Sequence, residues 1–256
     1  MPRHLPAQQV DDAGAARKGP ARARPVAKPG RARRRRIGRI AARIAVALLL
    51  GPFLLILLFR FIPVPVTPLM LLRLAEGYGV QHHWVGYGRI APSLAEAVVA
   101  SEDNLFCRET FGFDWDALAG QFAAWGAGER PRGASTITMQ TARNLLLLPT
   151  RDILRKAAEA WLTPQIALLW PKQRVMEVYL NSIEFGPGVY GADAAARRFF
   201  GRPAERLTRE QAALLAAVLP DPLHRSAAHP MPYLRERVET INRRVGQLGP
   251  WLDCLR

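Results

Sequence analysis

The strongest hydrophobic feature of the chain is the run from Ile44 to Phe59, interrupted only by the non-polar pair Gly51-Pro52. Counted from Ile40 to Ile62, with Arg43 and Arg60 snorkelling at its ends, it spans about 35 Å as a helix, enough for a bilayer. Arginines 31, 33–36, 39 and 43 flank it on the N-terminal side, which predicts that this side is cytoplasmic. The run is longer than a signal-peptide core. It leaves through Ile62-Pro63-Val64-Pro65-Val66-Thr67-Pro68, without a small-x-small cleavage site. An uncleaved single-pass anchor is therefore expected, over 40–62, with the remainder outside the cytoplasm.

Beyond the anchor, apolar positions recur with helical spacing. The run Leu94 to Ala100 reads as a buried helix that Ser93 could cap and that ends at Glu102-Asp103. Asp116 to Trp125 is amphipathic through positions 118, 119, 122 and 125. Further helices are predicted over Thr136–Leu148, Ile153–Leu169, Val175–Leu180, Ala192–Phe200 and Thr208–Leu219, the last opened by a Thr208 to Gln211 capping signal. Two-residue alternation is nearly absent, so the fold class is mainly α. The organisation expected is a disordered basic tail over 1–39, the anchor, a connector over 63–91, a main helical domain over 92–240 and a C-terminal segment over 241–256.

Charge changes this picture little. The net charge is +15, but residues 1–43 hold 13 Lys/Arg against Asp11 and Asp12, and the rest of the chain carries only +4. The tail is explained as a topology signal in contact with anionic lipid, and nucleic acid need not be invoked. Cys107 and Cys254 would lie in an oxidising compartment. Sequence gives no distance between them, and they are read as unpaired, Cys107 as a small packing residue. His82 and His83 are adjacent, which on a helix denies them a shared face for a metal.

Candidate chemistry begins at Glu102 and Asp103. A carboxylate beside apolar surface resists ionisation and can serve as a base near neutral pH. The stretch Gly133-Ala134-Ser135-Thr136-Ile137-Thr138-Met139-Gln140 opens a helix, where free N–H groups and hydroxyls suit an anion. Gln140 and Arg143 share a face. Arg155, Lys156 and Glu159 bring cations and a carboxylate to one helix. Gly186 to Gly191 formally matches G-x-G-x-x-G. A helix precedes it and Pro187 intrudes, so a tight loop before the alanine-rich helix is expected instead of a dinucleotide site. Penicillin-binding transpeptidase triplets, a Walker loop, zinc spacings and G-x-S-x-G are absent.

In order, Glu102-Asp103-x-x-Phe106, Gly133-x-Ser135-Thr136-Ile137-x-x-Gln140 with Arg143-Asn144, Arg155-Lys156-x-x-Glu159, Tyr179-Leu180-Asn181 through Gly191, and Leu207-Thr208 through Leu215 resemble glycosyltransferase family 51, the peptidoglycan glycosyltransferases. The similarity covers about residues 60 to 240 and is nearest to the monofunctional type, with one anchor and no transpeptidase domain. It implies a lysozyme-like helical lobe beside a small membrane-associated jaw near Asp116 to Gly128.

The reaction implied is polymerisation of lipid II into β-1,4 glycan with inversion and loss of undecaprenyl pyrophosphate. By resemblance, Glu102 is the base and Glu159 the second essential carboxylate. Ser135, Thr136, Gln140, Arg143, Asn144, Arg155, Lys156 and Asn181 contact substrate or pyrophosphate, with Arg151 a possible addition and Asp103 and Phe106 in support. No tightly bound cofactor is implied. A divalent cation, Mg or Mn, could accompany the pyrophosphate, although the sequence holds no metal cage. The partners implied are lipid II, the growing strand, membrane lipid and other wall-synthesis or cell-division proteins. The location implied is the bacterial inner membrane, with the catalytic domain periplasmic.

The chain departs from the family where Phe-x-x-His-x-Gly is usual. Here Phe106-Cys107-Arg108-Glu109-Thr110-Phe111-Gly112 replaces His with Glu and adds a residue. Arg143 also stands where Lys is common. A lysozyme-like glycan-cleaving enzyme and a non-catalytic wall scaffold are the alternatives. The cationic cluster opposes the first, and only the altered loop favours the second.

Overall fold

The computed structural model describes residues 30–128, 133–150 and 152–256, and the protein is mainly helical. Helix α1 runs Gly30–Phe59, so the basic stretch from Arg33 to Arg39, expected to be irregular, is helical. Arginine is a good helix former, and extending an existing helix needs no new nucleus. Residues 1–29 of the expected tail lie outside the described residues. Over Arg33–Phe59 the helix is long and apolar enough to cross a membrane. Ile44, Leu48, Leu49 and Leu54 lie uncovered by protein.

The chain divides into two units, Met1–Ala45 and Val46–Arg256. In the second, the end of α1 is held by side chains. Trp170 Nε1 donates to the Ile56 carbonyl (2.8 Å), Arg174 Nε to that of Phe59 (3.0 Å), and Arg60 Nη1 to that of Leu169. The last carbonyls of a helix lack partners within it, and a guanidinium supplies them.

Helix α2 (Pro68–Ala75) is capped by Thr67 and exposes Leu71 and Leu74. Helix α3 (Pro92–Glu102) begins after Ala91, not at Ser93 as expected. Pro92 at its first position has φ preset for a helix, so a side-chain cap is dispensable. Helices α4 (Trp115–Gly126), α5 (Ile137–Leu146), α6 (Ile153–Leu169) and α7 (Lys172–Ser182) follow. Then come α8 (Ala192–Phe200), α9 (Arg209–Val218), which carries the expected capping box, and α10 (Pro232–Leu248). Helix α10 crosses the boundary expected at 240.

A small sheet joins connector to body. Strand β1 (Gln81–His82) pairs parallel with β3 (Val189–Tyr190), which pairs antiparallel with β2 (Glu184–Gly186). The G-x-G-x-x-G segment is this hairpin. Gly188 adopts φ +69°, and a Cβ there would lie 2.5 Å from the Tyr78 carbonyl oxygen, so only glycine fits.

Two groups of helices build the body: α9 packs on α3 and α10, and α5 packs on α6 and α7. Residues 212–218 of α9 are buried, and their alanines let neighbouring helices approach closely. Helix α3 buries Leu94, Val98, Val99 and Ala100, leaving Glu102 at the end of a fully packed element. Burial of each such aliphatic side chain contributes about 1.5–3 kcal/mol.

Cys107 and Cys254 form a disulfide, with Cα atoms 5.5 Å apart, which corrects the unpaired reading. The C-terminus returns to the connector: Leu252 and Leu255 are buried, and Tyr87 Oη donates to the Leu255 carbonyl (2.9 Å). No local pattern encodes that return across 147 residues. The C107S variant is expected to lose about 2–4 kcal/mol of stability. Urea midpoints without reductant test this, and wild-type protein with reductant should match the variant.

Candidate active site

Glu102 ends α3 with its side chain 15% exposed. Ser101 Oγ donates to its Oε1 (3.2 Å), and Gln140 Nε2 to its Oε2 (3.3 Å). Tyr179 Oη donates to Gln140 Oε1 (3.1 Å), which turns the amide nitrogen towards Glu102. Burial, then the nearby Glu102 charge, pushes the Tyr179 phenol well above its usual range, so it remains a donor. Arg237 of α10 stands 3.9 Å from Glu102 and donates to Ser101 Oγ (3.1 Å). Sequence reasoning missed Arg237, which carries no motif and reaches the site only through packing.

The start of α5 does hold a carboxyl group, but that group belongs to the protein. Asp103 Oδ2 accepts from the Ile137 amide (2.8 Å), and Thr136 Oγ1 caps the Met139 amide (3.1 Å) while donating to the Gly112 carbonyl (2.7 Å). Burial, then its neighbour Glu109, pushes the Asp103 carboxyl up to about 9. Free N–H groups for a ligand were expected here. The first turn instead gives the Ile137 amide to Asp103 and the Met139 amide to Thr136, whose buried hydroxyl donates its proton within the protein.

On α6, Glu159 is fully buried between Arg155 Nη1 and Lys156 Nζ (3.3 Å to the latter). Lys156 also donates to Ser135 Oγ (3.1 Å), which brings the start of α5 to α6. Glu159 thus faces the cations of its own helix, the geometry of an orienting carboxylate.

A cavity of about 380 Å³ is lined by Gln140, Arg143, Asn144, Arg155, Arg73 and Glu184, among others. Arg143 makes no ion pair among the described residues. Arg73 and Glu184 were not anticipated. The available signal was a lone cation in the apolar run Leu69 to Leu74. Arg73 pairs with Glu76 (2.5 Å) and with the buried Glu184 (3.3 Å).

One expected contact, Asn181, is used within the protein, and Phe106 was expected only in support. Asn181 is fully buried and staples the connector to α7, accepting from the Val85 amide (2.9 Å) and donating to the carbonyls of Val85 (2.9 Å) and Glu177 (2.8 Å). Phe106 is buried beneath Lys172, whose Nζ lies 4.4 Å from its ring centre. Arg151 lies outside the described residues. The N181A variant strands the Val85 groups, at about 1–3 kcal/mol each. A lower melting temperature with unchanged activity per folded molecule is expected, whereas a raised substrate KM at constant stability would return Asn181 to the binding site.

Residues 70–245 match the transglycosylase family model. The chain belongs to the transglycosylase family. Three similar proteins carry the name biosynthetic peptidoglycan transglycosylase. The one from Rhodospirillum centenum is 50% identical, the alignment covering 82% of this chain and 92% of that protein. Those from Caulobacter vibrioides and Aeromonas hydrophila are 45% and 44% identical, covering 85% and 87% of this chain and 94% and 95% of theirs.

In this transglycosylase the described side chains do not suit a divalent cation held by protein alone. Among them, no three His, Cys, Asp or Glu side chains are grouped to hold one. The cavity presents three arginines, and its buried acid, Glu184, already accepts from Arg73, Tyr190 Oη (3.3 Å) and the Gly188 amide (3.2 Å). No step below is routed through a metal.

Proposed function

We propose that this transglycosylase polymerises lipid II into β-1,4 glycan strands outside the cytoplasm, anchored in the inner membrane by α1. The observation that carries this reading is a carboxylate, Glu102, coupled through Gln140 to a cavity lined by arginines.

A sugar hydroxyl is a weak nucleophile and needs a base, whereas a pyrophosphate leaves readily once its charge is stabilised. Glu102 takes the proton from the acceptor GlcNAc 4-hydroxyl as that oxygen bonds to C1 of the donor MurNAc. The C1–O bond to pyrophosphate breaks on the opposite face, inverting the anomeric centre, and undecaprenyl pyrophosphate carries away the electron pair. Arg143 and Arg155 stabilise that charge. Glu159 holds Arg155 and Lys156 in place, and Lys156 fixes Ser135. Gln140, whose carbonyl is claimed by Tyr179, orients Glu102 and links it to the cavity that holds Arg143 and Arg155, while Arg237 stands on the other oxygen of the base.

A glycan-cleaving enzyme must protonate a poor leaving group and would place a carboxylic acid where this site places arginines. The decisive test gives purified full-length protein in detergent labelled lipid II, then lysozyme. Lysozyme-sensitive polymer is expected. Absence of polymer under conditions where a known polymerase works would overturn the reading, and release of fragments from mature glycan would favour cleavage.

A further inference from the structure

Glu109, the residue that breaks the family pattern after Phe106, has a fully buried side chain against Asp103, the residue after the base. Its Oε2 accepts from Thr138 Oγ1 of α5 (2.8 Å) and from Lys172 Nζ of α7 (2.8 Å). Its Oε1 is buried with no conventional donor. The side chain of Asp103, one residue past Glu102, meets Glu109 directly, with Asp103 Oδ2 taken by the Ile137 amide. Two carboxyls thus share a buried site with one lysine. One positive charge cannot neutralise two negative ones, and a buried polar atom without a donor requires an explanation.

We propose that Asp103 and Glu109 share a single proton, and that Glu109 is a positioning residue for the glycosyl transfer. The acid–carboxylate hydrogen bond supplies the donor that Glu109 Oε1 lacks. It closes a clamp from the end of α3, which carries Glu102, to the first turn of α5, which carries Gln140, and onward to Lys172. Lys172 is the first residue of α7, where a cation opposes the helix dipole, and Glu109 supplies the negative charge favoured there. Gly112 closes the same loop with φ +78°, where a Cβ would lie 2.7 Å from Thr163 and 2.8 Å from Thr138. The altered loop therefore forms part of the support of the site.

Among the described residues, Lys172 and Tyr179 of α7 act on the pair, and Glu102 of α3 is next to Asp103 in the chain and acts on Tyr179. Arg143 of α5 acts on Tyr179, α5 faces the pair with the Ile137 amide and Thr138, and α6 presents Thr163 to the loop. The raised Asp103 value sets the sign: the folded chain binds the proton more tightly than the unfolded chain. The pair's contribution to stability is complete below the ordinary carboxylate range and is lost as pH rises towards about 9.

The inference rests on the polymerase reading only for its activity arm. In full-length protein at neutral pH, the infrared C=O stretch of a protonated carboxyl is expected in wild type and lost in both E109Q and D103N. Wild-type melting temperature and polymerisation should fall together as pH approaches about 9. In E109Q this alkaline limb should flatten, because the amide donates to Asp103 without a titratable proton, and activity at neutral pH should be retained. E109A has no such donor and should lower kcat by roughly a hundredfold, the cost of a small misplacement at a reacting centre. The clamp is overturned if E109Q keeps the infrared band, or if E109Q is as impaired as E109A. If wild type makes no polymer, the function falls, while infrared and melting data still decide the shared proton.

Discussion

The E102Q variant lowers polymerisation of lipid II by at least about a hundredfold, the low end of what a positioned general base contributes. Glutamine is close to isosteric and keeps an oxygen for Ser101, so of the two hydrogen bonds around the position only the one from Gln140 is given up. What is lost is the capacity to take a proton from the acceptor hydroxyl. Because Glu102 stands at the partly exposed end of α3 and not in its buried middle, melting temperature should barely move. The check is the initial rate of lysozyme-sensitive polymer formation alongside thermal melts. A variant with near wild-type turnover would remove Glu102 from the role of base. A variant that lost activity and stability together would make Glu102 a structural residue.

Neighbouring residues separate what the sequence could and could not reveal. The position of Glu102 was legible, because the apolar run that precedes it forms α3 and ends there. Arg143 and Arg155, on predicted helices, do line one cavity. The capping box at Thr208 formed because both of its hydrogen bonds are local. Asp103 was expected in support, and the structure gives it the helix start that was read as open to a ligand. Hydroxyls and amides at a helix start do signal an anion, but a pattern cannot distinguish a ligand from a carboxylate arriving from 34 residues away.

Asn181 shows the same limit: its motif was visible, while its three bonds to the connector and its own helix depend on tertiary packing. Arg237 and the Cys107–Cys254 bridge were invisible for a related reason, and the lone cation Arg73 showed itself without its partner. Each takes its meaning from a segment distant in the chain that no local periodicity brings near. Glu109 is the instructive case. As a departure from pattern it counted against activity, whereas its buried contacts to Thr138 and Lys172 make it a fitted part of the site.

Removing the guanidinium in R155A is expected to lower kcat by roughly a hundredfold, the cost of losing one preorganised group that stabilises charge developing on a leaving group. The argument depends on what remains. Glu159 is fully buried and would be costly to strand, but Lys156 still reaches its Oε1 at 3.3 Å, so the carboxylate keeps a counter-ion. Stability should therefore change much less than turnover. Arg143 stays in the cavity, so donor binding should weaken only partly. R155K should recover part of the loss, since it restores charge without the planar fork that can hold a phosphate oxygen and Glu159 together. Single-turnover rates with labelled lipid II, measured with thermal melts, distinguish the outcomes. Unchanged turnover in R155A would remove Arg155 from the leaving-group site. Loss of activity matched by loss of fold would make the Arg155–Glu159 pair a structural strut of α6.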